Sequence, residues 1–281
     1  MQPGIIPSVM GGLGNQMFIT AAAYVVSRLQ DCPLYILYNP NHHNKHNHRN
    51  YNYNESVFKY FGEHLDIDIT NLPAIVSLGY KIYQHDDAFT PWNPFAIPPG
   101  TLMMSYYQYY PPLMQFEHEL RQLFLQGLAE FRAKVVEKCK DLDTCAFLHV
   151  RRGDTHASLN VYYLIPLEYF EECVKQLLDK KPNLRKIYIV SDEYEWVRQQ
   201  EFFRQDIFEV YETSDELETM ALMSLCTEGA ICGGQTFGWW GAFLGAYSKR
   251  NPVFFPKDWI KFKVWDLIPP EWTIVDSIKE L

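Results

Sequence analysis

Residues 145–154 read Cys-Ala-Phe-Leu-His-Val-Arg-Arg-Gly-Asp. The first six make a mostly apolar run of strand length, and the last four turn abruptly to charge and glycine. A short apolar run bounded by a turn signal predicts a strand. Arg151, Arg152, Gly153 and Asp154 then fall at its carboxyl end, where open α/β sheets hold their ligands. Two guanidiniums beside a glycine suit a diphosphate, because arginine matches phosphate oxygens with paired donors and glycine lets the backbone come close. A surface cluster of ion pairs around Asp154 is the plainer alternative.

Downstream of this stretch, short apolar runs alternate with amphipathic ones. Strands are expected at Ile187–Val190, Phe208–Tyr211, Ala230–Cys232 and Val253–Phe255, and helices at Pro166–Leu178, Tyr194–Phe203, Asp215–Cys226 and Phe237–Ala246. Such alternation predicts parallel βαβ units in an open α/β sheet. Ser191-Asp192-Glu193 and Gly233-Gly234-Gln235-Thr236-Phe237 each close a strand, so three polar loops converge on one rim. Asp192 can bond ribose hydroxyls or the donor edge of a purine, and Thr236 with the amides opening the next helix can hold phosphate. Each loop alone reads more readily as a helix cap, but together they favour a nucleotide crevice. Asp215, with Glu218 three residues on, has the pattern of a capping box.

Upstream, Ile5–Met10 predicts a strand, Gly11-Gly12-Leu13-Gly14-Asn15 a tight turn, and Gln16–Leu29 a helix. The turn lacks the Lys-Ser/Thr ending of a P-loop, and Met17 stands where a dinucleotide fingerprint has its third glycine. Close approach to a ligand and a simple βα turn both remain open for it. Residues 39–54 and 84–101 read as irregular loops, and Glu117–Lys140 as one helix. A domain boundary is placed near residue 140, dividing 1–140 from 141–281.

At 281 residues and 47% hydrophobic, the chain can bury one large core or two modest ones. A net charge of −9 argues against a general nucleic-acid binder, so any phosphate must be held locally. No run approaches the roughly 20 apolar residues of a membrane span, and Met1–Pro7 lacks the pattern of a secretory leader. A cytoplasmic protein is expected. The six cysteines form no C-x-x-C pair and are read as reduced core residues. His42, His43, His46 and His48, and the pairs Asp66/Asp68 and Asp141/Asp143, invite a metal reading that is not adopted. The histidines lie in an asparagine-rich loop without a fourth-ligand pattern. Asp66 and Asp68 fit the wet face of a strand, and Asp141 and Asp143 sit at the amino end of the 145–150 strand. Trp239 and Trp240 are assigned to core.

These segments resemble the bacterial-type α-1,2-fucosyltransferases, the glycosyltransferase family 11 group, over most of the chain. The family's G-G-L-G-N-Q-M-F is Gly11–Phe18 without change, its H-V-R-R-G-D is His149–Asp154, and its S-D-D is similar to Ser191-Asp192-Glu193. Its D-L-x-L-M-S-x-C and N-S-x-F-S-W-W-G-A-W resemble 218–226 and 234–243, and Tyr106-Tyr107-Gln108 and 266–272 also resemble family positions. The resemblance implies a GT-B-like α/β fold of two Rossmann-like lobes. The nucleotide-sugar site would lie in the C-terminal lobe facing the interlobe cleft, with the acceptor side mainly N-terminal. It implies inverting transfer of L-fucose from GDP-fucose, without a metal or other cofactor, to a galactose-containing glycan acceptor. Arg151, Asn15 and Asp154 are then the catalytic candidates. Arg151 would meet the β-phosphate, Asn15 would lie between donor phosphates and acceptor, and Asp154 is a candidate base. Gly12, Gly14, His149, Arg152, Asp192, Thr236 and Phe237 are the donor-binding candidates. The chain departs from the family at Gly234, Gln235 and Gly238, within the expected donor pocket. Transfer of a different sugar, or an inactive carbohydrate-binding relative, are the alternatives.

Overall fold

Strand β1 (Ile5–Pro7) leads through Gly11 and Gly12 into helix α1 (Leu13–Leu29). The structure is a computed structural model that describes residues 2–38, 53–85, 88–140, 142–246, 251–264 and 266–277, without the side chains of Asp143 and Asp154. The helix begins three residues before the expected Gln16, so Gly14 and Asn15 already belong to its first turn. Strands β2 (Tyr35–Tyr38) and β3 (Glu63–Asp68), helix α2 (Leu72–Ser77), strands β4 (Lys81–Gln84) and β5 (Thr101–Met104) and helix α3 (Glu117–Gly127) follow. All strand pairs here are parallel: β1 with β5, β5 with β4, and β2 with β3. A parallel bridge between Ile5 and Leu34 links the two groups, giving the order β3-β2-β1-β5-β4. Ile6, Tyr35, Leu37, Ile69, Ile75, Tyr80 and Leu102 form a buried cluster against this sheet. Strands β4 and β5 carry little apolar alternation and sit among prolines and glycines, which hides them in the sequence.

The expected single helix at 117–140 is two, α3 and α4 (Ala129–Lys138). Gly127 lies so close to the backbone that a Cβ there would stand 2.6 Å from the Ser56 carbonyl oxygen and 2.8 Å from that of Val57. This packing, with the low helix propensity of glycine, ends α3. The break coincides with the division of the chain into two compact units, Met1–Leu128 with Val264–Leu267, and Ala129–Lys263 with Ile268–Leu281.

The second unit continues with β6 (Cys145–Val150), α5 (Gly153–Ala157), α6 (Leu167–Lys180), β7 (Lys186–Ser191), α7 (Tyr194–Gln199), β8 (Phe208–Val210) and α8 (Glu216–Leu225). It closes with β9 (Gly229–Ile231), α9 (Gln235–Leu244), β10 (Val253–Pro256) and β11 (Thr273–Val275). Its six strands are all parallel, in the order β8-β7-β6-β9-β10-β11. Counted from β6 this is 3-2-1-4-5-6, the doubly wound order of dinucleotide-binding sheets. Every residue of β6 and of β10 is buried, His149 included, as expected of central strands in a parallel sheet covered on both faces. Trp239 and Trp240 are fully buried core residues.

Helix α8 is capped by Asp215, whose Oδ1 accepts from the amides of Leu217 at 3.0 Å and Glu218 at 3.2 Å. The second half of the expected capping box is absent. Glu218 instead accepts from Lys138 Nζ at 2.7 Å and from the hydroxyl of Tyr211, the residue after β8, tying both to α8, while the Asp215 amide goes to Thr213 Oγ1 at 3.1 Å. Among the described residues no helix is long and apolar enough to cross a membrane.

Candidate functional site

In the second unit the strand order reverses between β6 and β9, and a doubly wound sheet opens its ligand crevice at the carboxyl ends on either side of such a reversal. His149–Asp154 leaves β6 there and Gly233–Phe237 leaves β9. Asp192 comes from the next strand, β7, whose Val190 and Ser191 pair with His149 and Val150. This register sets Asp192 beside the arginine pair. Its Oδ1 accepts the Arg152 amide at 2.9 Å and its Oδ2 lies 3.2 Å from the Arg151 guanidinium. Burial by itself would raise the Asp192 carboxyl. The Arg151 charge and the amides of Arg152 and Gly153 outweigh it and hold the group below its ordinary value. Gly153 is required by this contact, since a Cβ would stand 2.9 Å from Asp192 Oδ2.

The two arginines part company here. Arg151 is about one quarter exposed and leans on Asp192. Arg152 turns away: its guanidinium stacks 4.1 Å over the Trp196 ring, and its Nε lies 3.3 Å from Glu193. Glu193 also faces His156 Nε2 at 3.6 Å. In the sequence Glu193 reads only as part of the Ser191-Asp192-Glu193 loop and nothing singles out Trp196, because no local pattern links either to Arg152.

His149 is 3% exposed, tilted against Phe237 with ring centroids 5.8 Å apart. Its Nδ1 is buried and, among the described residues, makes no hydrogen bond. Burial first, then the Arg151 charge, lower its pKa to about 4, against a weaker upward pull from Asp192. The imidazole is therefore neutral at physiological pH. The ring occupies space that a side chain at position 238 would need, because a Cβ on Gly238 would stand 2.5 Å from Nδ1.

Helix α9 opens on two consecutive left-handed residues, Gly234 (φ 82°) and the non-glycine Gln235 (φ 63°). Its N-cap is a glycine without a capping side chain and its first turn holds no acid, so no carboxylate of that turn offsets the positive end of the helix dipole. Thr236 and Phe237 belong to that turn. Gln235 Nε2 reaches across to Thr155 Oγ1 at 3.1 Å, joining the loops after β6 and β9.

The remaining candidates lie in the first unit, also where its order reverses, between β1 and β5. Gly11 is the glycine of the loop that conformation demands, at φ 74°. Gly12 is the N-cap of α1 and Gly14 and Asn15 follow in its first turn, again without a side-chain cap or an acid. Gln16 Nε2 closes the loop on the Gly11 carbonyl at 2.9 Å. Asn15 Oδ1 accepts from Gln108 Nε2 at 2.9 Å. The structure thus gathers Arg151, Arg152, His149, Asp192, Thr236 and Phe237 in one unit, and Gly12, Gly14 and Asn15 in the other.

Asp154 stands in the first turn of α5, and its side chain lies outside those described. His42, His43, His46, His48 and Asp141 lie outside the described residues, as does the side chain of Asp143. Asp66 and Asp68 lie on β3, where Asp68 Oδ1 accepts from the Thr70 amide at 2.8 Å and its hydroxyl at 2.6 Å. All six cysteines are free thiols, five of them buried.

The geometry can be set beside known proteins. The chain is 26% identical over 293 aligned residues to the O-antigen biosynthesis glycosyltransferase WbnK of Escherichia coli, across 89% of this chain and 92% of that one. It is 24% identical over 173 residues to an α-1,2-colitosyltransferase of Escherichia coli, across 58% of this chain and 59% of that one. The structure of the NodZ α-1,6-fucosyltransferase soaked with GDP-fucose aligns with a TM-score of 0.51 at 13% identity, covering 87% of this chain and 93% of that one. This likeness carries the fold, which is GT-B-like and built on parallel sheets. The model of glycosyl transferase family 11 matches residues 8–250, from the glycine loop past the last candidate residue of α9. A match of that extent shows the family: this chain is a glycosyltransferase and belongs to glycosyl transferase family 11.

Proposed function

We propose that the chain moves L-fucose from GDP-fucose to a galactose hydroxyl of a glycan acceptor, forming an α-1,2 linkage with inversion and without a metal ion. The observation that carries this reading is Arg151, braced by Asp192 beside the uncapped end of α9, at the reversal of a dinucleotide-type sheet. In an inverting transfer the acceptor hydroxyl attacks the anomeric carbon from the face opposite the nucleotide, and negative charge grows on the departing diphosphate. Arg151 and the α9 amides meet that charge as fixed, preorganised donors, and losing one such donor costs on the order of 100–1000-fold in turnover. His149, neutral and apolar in its setting, shapes the donor pocket with Thr236 and Phe237. Asn15 orients the acceptor hydroxyl and Asp154 takes its proton. The second unit carries the donor and the first the acceptor side, in the cytoplasm. The α-1,2-colitosyltransferase relative and the GDP-fucose-soaked NodZ structure support a deoxyhexose donor on GDP.

A second reading, another deoxysugar on the same nucleotide, is favoured by Gly234, Gln235 and Gly238, which depart from the family pattern inside the pocket. One experiment separates the readings. Purified protein is offered GDP-, UDP- and dTDP-sugars in EDTA, with Arg151→Ala assayed alongside. Consumption of GDP-fucose alone, with a folded mutant slowed about 100–1000-fold, is the expected result. Consumption of another GDP-deoxysugar in its place selects the second reading, and dependence on added metal overturns the metal-free mechanism.

A further inference from the structure

The glycine loop after β1 and the segment after β5 flank the order reversal of the first sheet, and the contact between them is specific. Gln108 is 3% exposed, and its Nε2 donates to Asn15 Oδ1 at 2.9 Å across 93 residues of chain. Its own amide is fixed on the Ala88 carbonyl at 2.7 Å, and its Oε1 is buried and, among the described residues, meets no hydrogen-bond donor. The residue before it, Tyr107, is held in the left-handed region (φ 50°), which L side chains rarely adopt. His85 stacks on the Tyr107 ring at 6.1 Å and Trp92 meets it edge-on at 5.5 Å. On the other side, a Cβ on Gly11 would stand 3.2 Å from the Tyr106 ring. Strained backbone locked by packing, next to a buried amide left half-satisfied, is the pattern of a segment kept for what it positions.

We infer that Gln108 is a positioning residue that fixes which way the Asn15 carboxamide faces. By donating to Oδ1 it commits the acceptor atom of Asn15 inward. Nδ2 then lies over the glycine loop, 2.7 Å from where a Cβ on Gly11 would be. The edge of Asn15 turned away from Gln108 is therefore its donor edge, the one whose chemistry matches an acceptor hydroxyl oxygen or a phosphate oxygen. The inference rests on the reading of Asn15 given above.

The test measures fucose transfer from GDP-fucose to lactose by wild type, Asn15→Ala, Asn15→Asp, Gln108→Met, Gln108→Glu and the double variant Asn15→Ala/Gln108→Met. Gln108→Met should lower kcat about 10–100-fold, the scale of a misaligned reacting group, with the donor KM little changed. The double variant should be no slower than Asn15→Ala. Asn15→Asp keeps the bond to Gln108 but loses the donor, and should match Asn15→Ala. Gln108→Glu has nearly the same shape but can only accept, so it turns Asn15 around and should be at least as slow as Gln108→Met. Independently of any donor sugar, the Asn15 Nδ2 proton resonances in 15N-asparagine-labelled protein, identified by their loss in Asn15→Asp, should shift in Gln108→Met.

Multiplying losses in the double variant, or a wild-type rate in Gln108→Glu, overturn the inference. So do unmoved Asn15 resonances, which decide the matter even if GDP-fucose is not the donor. A slow Asn15→Ala beside a wild-type Gln108→Met removes the role of Gln108 alone, whereas a wild-type Asn15→Ala removes the reading of Asn15 and this inference with it.

Discussion

Acidification tests the burial of His149. The folded imidazole has a pKa of about 4, where the group in solution titrates near 6.5. The sign follows from proton counting: between these values the unfolded chain holds a proton on this residue that the folded chain does not. Stability from the neutral imidazole is therefore complete above pH 6.5 and is lost as the pH falls toward 4. At about 1.4 kcal/mol per pKa unit, the full loss is about 3–4 kcal/mol, of which about 2 kcal/mol is gone by pH 5. The cause is structural, since the ring is buried against Phe237 and Gly238 and the charge that acts on it most strongly is the cationic Arg151. Urea unfolding of wild type and His149→Gln at half-unit steps from pH 7.5 to 5 isolates the contribution, because other titrating groups act in both proteins. The wild-type curve should fall more steeply below pH 6.5, the gap between the two closing by about 2 kcal/mol at pH 5. Parallel curves would refute the reasoning and mean that the histidine is hydrated or paired.

Further expectations concern the same neighbourhood and its scaffold. Gly238→Ala places a carbon 2.5 Å from His149 Nδ1, and should cost about 1–3 kcal/mol by overpacking, read as a lower urea midpoint with an unchanged slope. It should also weaken donor binding, because the ring it displaces lies against Phe237. Asp215→Ala removes both cap bonds of α8 and should lower stability by about 1 kcal/mol, leaving donor KM and kcat untouched since α8 lies outside the crevice loops. Asp154→Asn should lower turnover on the order of 100-fold or more if Asp154 takes the acceptor proton, with GDP binding retained in calorimetry.

What the sequence by itself determined was local. The mostly apolar run 145–150, cut off by charge and glycine, marked a strand with the Arg-Arg-Gly-Asp segment at its carboxyl end. The alternation after it required parallel βαβ units, and Asp215 announced its cap, because each signal lies within a few residues of what it specifies. Pairings across the chain were not encoded that way. Strand order alone decides that the loops after β6 and β9 flank one reversal and those after β1 and β5 another. Two adjacent arginines look equivalent on paper, yet Arg151 meets Asp192 while Arg152 stacks on Trp196, a choice made by the β6–β7 register and the turn into α5. Gly127 ends a helix whose apolar period runs straight through it, because its neighbour is the backbone of residues 56 and 57. Gln108 hides in a run of tyrosines and acquires its bond to Asn15 only when β5 aligns beside β1. Hydrophobic period and turn chemistry are properties of neighbours in sequence, whereas register, strand order and close backbone contact arise from burying distant segments together, and tertiary structure alone supplies them.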